Sequence, residues 1–230
     1  MLKKWAFPMA FGILLNLMVT NTAFAGGVGL GVTRLIYPSD TKQISVSVRN
    51  TDANLAFLIQ PWVEDSNGNK TSDFVITPPL SVLKPKNENS LRIIYTGPTL
   101  PKDRESIFWL TVKAVPPLNE KESGKNVLQL ASANRIKIFY RPVGLTTAVQ
   151  DAPDMLTAKR VGQDIILSNP SPYFITLVNV FLGGEKLGSI MVPPKDSVKL
   201  KSQNSASSGQ LKFQTINDYG AQTKLTTITY

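Results

Sequence analysis

The chemistry open to this sequence lies in charged residues set among strand-forming apolar ones. Arg34 stands beside Leu35-Ile36, and Lys137 lies between Ile136 and Ile138. A guanidinium offers a planar fork to a carboxylate, and an ammonium adds a compact point charge. Both act more strongly in a sheltered cleft than on an open surface. By composition alone, such cations read more often as ordinary surface charges. Glu105 and Asp218 are candidates of opposite sign, since a carboxylate pair serves glycoside hydrolysis when both acids line an open cleft. The chain has no histidine and no cysteine. That excludes Ser-His-Asp and Cys-His catalysis, disulfide staples and the His/Cys ligand sets of zinc. No metal, nucleotide or other cofactor is implied.

The elements that must position these charges are strands. Segments alternating with period 2 dominate, separated by turn residues, and no long segment carries a helical period. Ile44, Val46 and Val48 alternate with polar residues; Leu55 to Val63 is a second strand, closed by the turn Asp65-Ser66-Asn67-Gly68. Phe108, Leu110, Val112 and Ala114 line one face of a strand stopped by Pro116-Pro117. The spacing predicts one long strand over Leu128 to Tyr140, with Leu128, Leu130, Ile136, Ile138 and Tyr140 on one face. Strands are also predicted over 164–168, 175–182, 197–201, 210–215 and 224–229. Trp62, Trp109 and Tyr219 read as core or domain-joint aromatics. The fold class is all-β, and the length suits two sandwiches of about 100 residues each.

Residues 1–25 read as a cleavable secretory signal: Lys3 and Lys4, an apolar run from Trp5 to Val19, then Ala23-Phe24-Ala25. Pro8 and Asn16 interrupt the run, and it falls short of the ~20 apolar residues of a membrane span. The mature chain would start at Gly26, with a first domain over 26–142 and a second over 143–230. Loss of Lys3 and Lys4 lowers the formal charge from +9 to +7. Export and the scatter of the lysines argue against nucleic acid as a partner.

Several segments in order carry a family resemblance. They are Thr33-Arg34-Leu35-Ile36-Tyr37, then Leu100-Pro101-Lys102-Asp103-Arg104-Glu105-Ser106 with Phe108-Trp109-Leu110, and Ile136-Lys137-Ile138-Phe139-Tyr140-Arg141-Pro142. Asn169-Pro170-Ser171-Pro172-Tyr173 and Ile216-Asn217-Asp218-Tyr219-Gly220 follow. Together the chain resembles the PapD-like periplasmic chaperones of the chaperone–usher pathway, across essentially its whole mature length. The resemblance implies two immunoglobulin-like domains meeting at an angle around a cleft. It also implies a periplasmic protein whose edge strand completes an exported pilus or fimbrial subunit and delivers it to an outer-membrane usher. Strand addition in chaperone–pilin pairs is itself a standard example of this binding mode.

By the same resemblance, Arg34 and Lys137 anchor the subunit's C-terminal carboxylate. Leu128, Leu130 and Ser132 face the subunit, and Glu105, Arg141 and Asp218 link the domains by charge. Alternating leucines suit the protein's own core equally well by spacing alone. Ser132 departs from the larger aliphatic residue usual in the family. The short polar segment 118–126, without cysteine, resembles the short-loop branch. A donor edge also allows self-association of the free protein. The competing readings are a two-domain fimbrial subunit or adhesin, and an exported carbohydrate-active enzyme. The first would be expected to carry an N-terminal donor extension, for which Gly26 to Gly31 is too short.

Overall fold

The computed structural model describes residues 26–118, 128–201 and 209–230, so the expected signal over 1–25 lies outside the described residues. The first half forms β1 (Val28–Leu30), β2 (Arg34–Pro38), β3 (Ile44–Asn50), β4 (Phe57–Glu64), β5 (Phe74–Thr77), β6 (Ser81–Leu83), β7 (Glu88–Tyr95), β8 (Ser106–Val115) and β9 (Ser132–Arg141). They build two facing sheets, ordered β1-β3-β7-β5 and β2-β9-β8-β4-β6. The alternation read from the sequence decides the faces. Val46 and Val48 of β3, Leu91 and Ile93 of β7, Ile59 and Val63 of β4, and Leu110 and Val112 of β8 meet in one core.

The second half forms β10 (Thr157–Val161), β11 (Asp164–Asn169), β12 (Ile175–Leu182), β13 (Glu185–Lys186), β14 (Ile190–Val192), β15 (Asp196–Lys201), β16 (Gln210–Thr215) and β17 (Thr226–Thr229). Its sheets run β10-β11-β15 and β13-β12-β16-β17, with β14 also on β12. Ile165, Leu167, Leu177, Leu211 and Phe213 centre a separate core. A 3-10 turn over Val149–Met155 leads into this half. The fold class expected from the sequence, two immunoglobulin-like sandwiches, is the one found.

Among the described residues each sandwich carries one buried asparagine serving as a hub for carbonyls, a role for which the sequence gives no signal. Asn50 Nδ2 donates to the carbonyls of Leu55 (2.7 Å) and Lys84 (3.1 Å). Asn169 Nδ2 donates to those of Tyr173 (2.7 Å) and Pro193 (2.9 Å), which fixes the Asn169–Tyr173 turn. Buried acceptors of this kind would otherwise cost stability.

The predicted strand over Leu128 to Tyr140 is shorter than expected, since β9 begins at Ser132. On β8 the ladder ends at Ala114↔Ser132. Beyond it stand Pro116 and Pro117, which have no N–H to extend a ladder. Gln129 Nε2 instead donates to the Pro116 carbonyl at 2.7 Å.

Candidate functional site

β2 and β9 lie side by side in parallel, with Arg34 opposite Lys137 and Pro38 opposite Arg141. Leu35 and Tyr37, with Ile136, Ile138 and Tyr140, turn into the core. Period 2 then sends Arg34, Lys137, Phe139 and Arg141 to the other face, toward the second domain. Arg34 Nη1 donates to the Ile216 carbonyl at 3.0 Å and its guanidinium lies 5.5 Å from the Phe139 ring. Lys137 Nζ makes a long 3.5 Å contact with Thr176 Oγ1 and lies 5.6 Å from the Trp109 ring.

Among the described residues neither cation forms an ion pair with a carboxylate. Burial and then the neighbouring Arg34 charge push the Lys137 ammonium below its ordinary pKa. Burial also lowers Arg34, against the pull of Asp218 and Glu105. Two adjoining, half-buried cations with neutral contacts form a site whose charge an arriving anion would satisfy.

Arg141 does have acidic partners. Its Nε donates to Glu105 Oε1 at 2.7 Å, and Nη1 and Nη2 grip both Asp218 oxygens at 2.7 and 2.8 Å. The Glu105 side chain is only 2% exposed. Its Oε2 accepts the Phe174 N–H at 2.8 Å, and its own N–H donates to the Pro172 carbonyl at 2.9 Å. Burial drives the Glu105 carboxyl above its ordinary range, with Arg141 and the Phe174 N–H opposing. Burial disfavours the Arg141 charge too, but hydrogen bonds to Asp218 and attraction to Glu105 outweigh it and raise its pKa. The hydrolytic alternative loses its chemistry here, because one guanidinium occupies both acids and Glu105 has almost no open surface.

The turn bearing Asp218 also reaches the cation pair. Asn217 Oδ1 accepts the N–H groups of Tyr219 (3.1 Å) and Ala221 (2.9 Å). Gly220 sits at φ +84, where a side chain is strained, and a Cβ there would collide with Thr33 Oγ1. One turn therefore presents Ile216 to Arg34 and Asp218 to Arg141. Between the halves lies a cavity of about 410 Å³ lined in part by Arg34, Glu105, Phe139, Arg141, Phe174 and Asp218. Lys137 is not in its lining.

β9 is open beside this site. β2 pairs with β9 only from Lys137 onward, so among the described residues no strand occupies that side of Ser132–Ile136. The Asn134 side chain crosses to the Val28 carbonyl (2.9 Å). Leu128 and Leu130 precede the opening and are 82% and 73% exposed, so neither feeds the protein's own core. Ser132 is exposed at the start of β9.

The aromatics expected in the core or at the domain joint divide. Trp62 and Trp109 are half-buried on the outer face of the β8 sheet, while Tyr219 borders the cavity between the halves but is 94% exposed and packs into neither core. Thr176, Phe139 and the Ile216 carbonyl were not foreseen. They meet the cations only through cross-strand register and contact between the halves.

Two sandwiches thus meet around a cation pair, with an unpaired strand edge and exposed leucines beside it. Residues 27–146 match the family model described as pili and flagellar-assembly chaperone, PapD N-terminal domain. Residues 151–227 match that of the pili assembly chaperone PapD, C-terminal domain. The chain belongs to the PapD family of pilus-assembly chaperones. It is 47% identical over 213 residues to the probable fimbrial chaperone SfmC of Escherichia coli K12, covering 92% of each. It is 42% identical over 220 residues to the chaperone protein FimC of the same strain, covering 94% of this chain and 90% of FimC.

Among solved structures, the periplasmic chaperone SfaE superposes with a TM-score of 0.75 at 41% identity, over 87% of this chain and 98% of that one. A chain of the Salmonella enterica SafA pilin–SafB chaperone complex gives 0.78 at 30%, over 90% and 97%. Matches to chaperone domains over both halves decide against the subunit or adhesin reading.

Proposed function

We propose that this protein works in the periplasm, where it captures an exported pilus or fimbrial subunit by lending it the free edge of β9, then passes it to an outer-membrane usher. The observation that carries this reading is one continuous track. Exposed Leu128 and Leu130 lead into the open edge of Ser132–Ile136, which ends at the Lys137–Arg34 pair. From Leu130 to Lys137 an extended strand spans about 23 Å. A guest whose C-terminal carboxylate meets Lys137 and Arg34 must run along β9 in the same direction. It would lie in line with β2 and fill the slot before Arg34. Main-chain hydrogen bonds would set its register, and the leucines would enter its groove. Arg141, Glu105 and Asp218 would fix the two domains, 26–142 and 143–230, around the guest.

The leucine track is tested by substitution, with folding checked by circular dichroism. Leu130→Asp is expected to abolish co-purification of the subunit, since it places a charge in an apolar groove. Ser132→Ala is expected to change little. Ser132→Leu should tighten capture by roughly 2–3 kcal/mol where the guest offers an open pocket, and weaken it where that pocket is filled. Normal capture by folded Leu130→Asp would remove the leucine segment leading into β9 from the donor track.

A further inference from the structure

We infer that Trp109 and Phe139 are positioning residues of the anion site: their ring faces, in place of carboxylates, hold Lys137 and Arg34 ordered but undischarged. This rests on the proposed reading of that pair as the carboxylate anchor. The ladders place Glu64, Trp109, Lys137 and Arg34 in one row across four neighbouring strands. Trp109 therefore stands between Lys137 and the acid of its row. Glu64 is committed elsewhere, accepting from Trp62 Nε1 (2.8 Å), Thr111 Oγ1 (3.1 Å) and Arg135 Nε (2.8 Å).

Lys137 Nζ and the Arg34 guanidinium lie 5.6 and 5.5 Å from the Trp109 and Phe139 ring centroids, within the roughly 6 Å reach of a cation–π attraction. Among the described residues their hydrogen-bond partners are a hydroxyl and a carbonyl, both neutral, and the acids that attract Arg34 from further off, Asp218 and Glu105, are gripped by Arg141. Arg135 stacks on the same indole at 4.1 Å but is already paired with Glu64. A fixed carboxylate beside Lys137 or Arg34 would compete with the guest's own. An aromatic face attracts the cation and leaves its charge available.

The test compares Trp109→Leu with Trp109→Phe, which keeps a ring. Two readouts are the Lys137 ε-amine titration followed by NMR and the affinity of a peptide copying the last strand of the co-purified subunit. The peptide is used as free acid and as C-terminal amide. Trp109→Leu should lower the Lys137 pKa by about half a pH unit and weaken the acid peptide roughly three-fold, leaving the amide unchanged. Trp109→Phe should restore most of both. Phe139→Leu repeats the acid-against-amide comparison for Arg34 and serves if Trp109→Leu does not fold.

An unmoved or raised Lys137 pKa, or equal losses for acid and amide, would overturn the inference. Should Lys137→Ala itself leave acid binding unaltered, the anchor reading fails first, whatever Trp109 does.

Discussion

The double variant Arg34→Ala/Lys137→Ala is expected to fold and to lose subunit capture. In the free protein these cations are a liability: adjoining, half-buried, without an ion pair to a carboxylate among the described residues, and with burial outweighing the pull of Asp218 and Glu105 on Arg34. Removing them relieves mutual repulsion and desolvation, so the urea midpoint should hold or rise. Binding should suffer in the opposite sense, because truncating one side of a sheltered charge pair costs about 2–5 kcal/mol. Better folding with worse capture separates a functional site from a structural one.

The pH dependence carries the same sign. The Lys137 pKa is lower in the fold than the ordinary 10.5, so over that interval the unfolded chain binds more protons. Lys137 therefore makes stability rise with pH between its depressed folded value and its ordinary one. Lys137→Met should flatten that rise in urea titrations across the alkaline range. A variant that is destabilised yet binds normally would show the cations to be structural.

Arg141→Ala is expected to cost about 3–5 kcal/mol of stability, because it strands a buried carboxylate. Most of the loss should come through Glu105, whose side chain is 2% exposed, and less through Asp218 at 27%, which water can reach. Glu105→Gln in the Arg141→Ala background should recover much of the loss by removing the orphaned charge. Urea unfolding of the single and double variants measures this directly. A loss below about 1 kcal/mol, typical of a surface pair, would show the network to be peripheral.

The sequence carried the strands and the charges but not the contacts between them. Lys137 and Arg141 share strand parity, so their common face was readable, and the family motifs paired them with Arg34, Glu105 and Asp218. The partners Thr176 and Ile216 come from the other sandwich, and no local pattern encodes them. Period 2 also put Leu128 and Leu130 in phase with core-facing Ile136 and Ile138. Two prolines after β8 end the ladder there, so phase did not become pairing. Tyr219 misled for a related reason. It belongs to a family motif, but its turn is held by Asn217 and Gly220, and the ring itself points to solvent.

The most direct test of capture by carboxylate and strand edge is the affinity of the subunit's C-terminal-strand peptide with a free carboxylate against the same peptide amidated. The acid should bind at least about 30-fold tighter, the equivalent of roughly 2 kcal/mol. That advantage should vanish in Arg34→Ala/Lys137→Ala. Equal affinity of acid and amide for the wild-type protein would contradict the account.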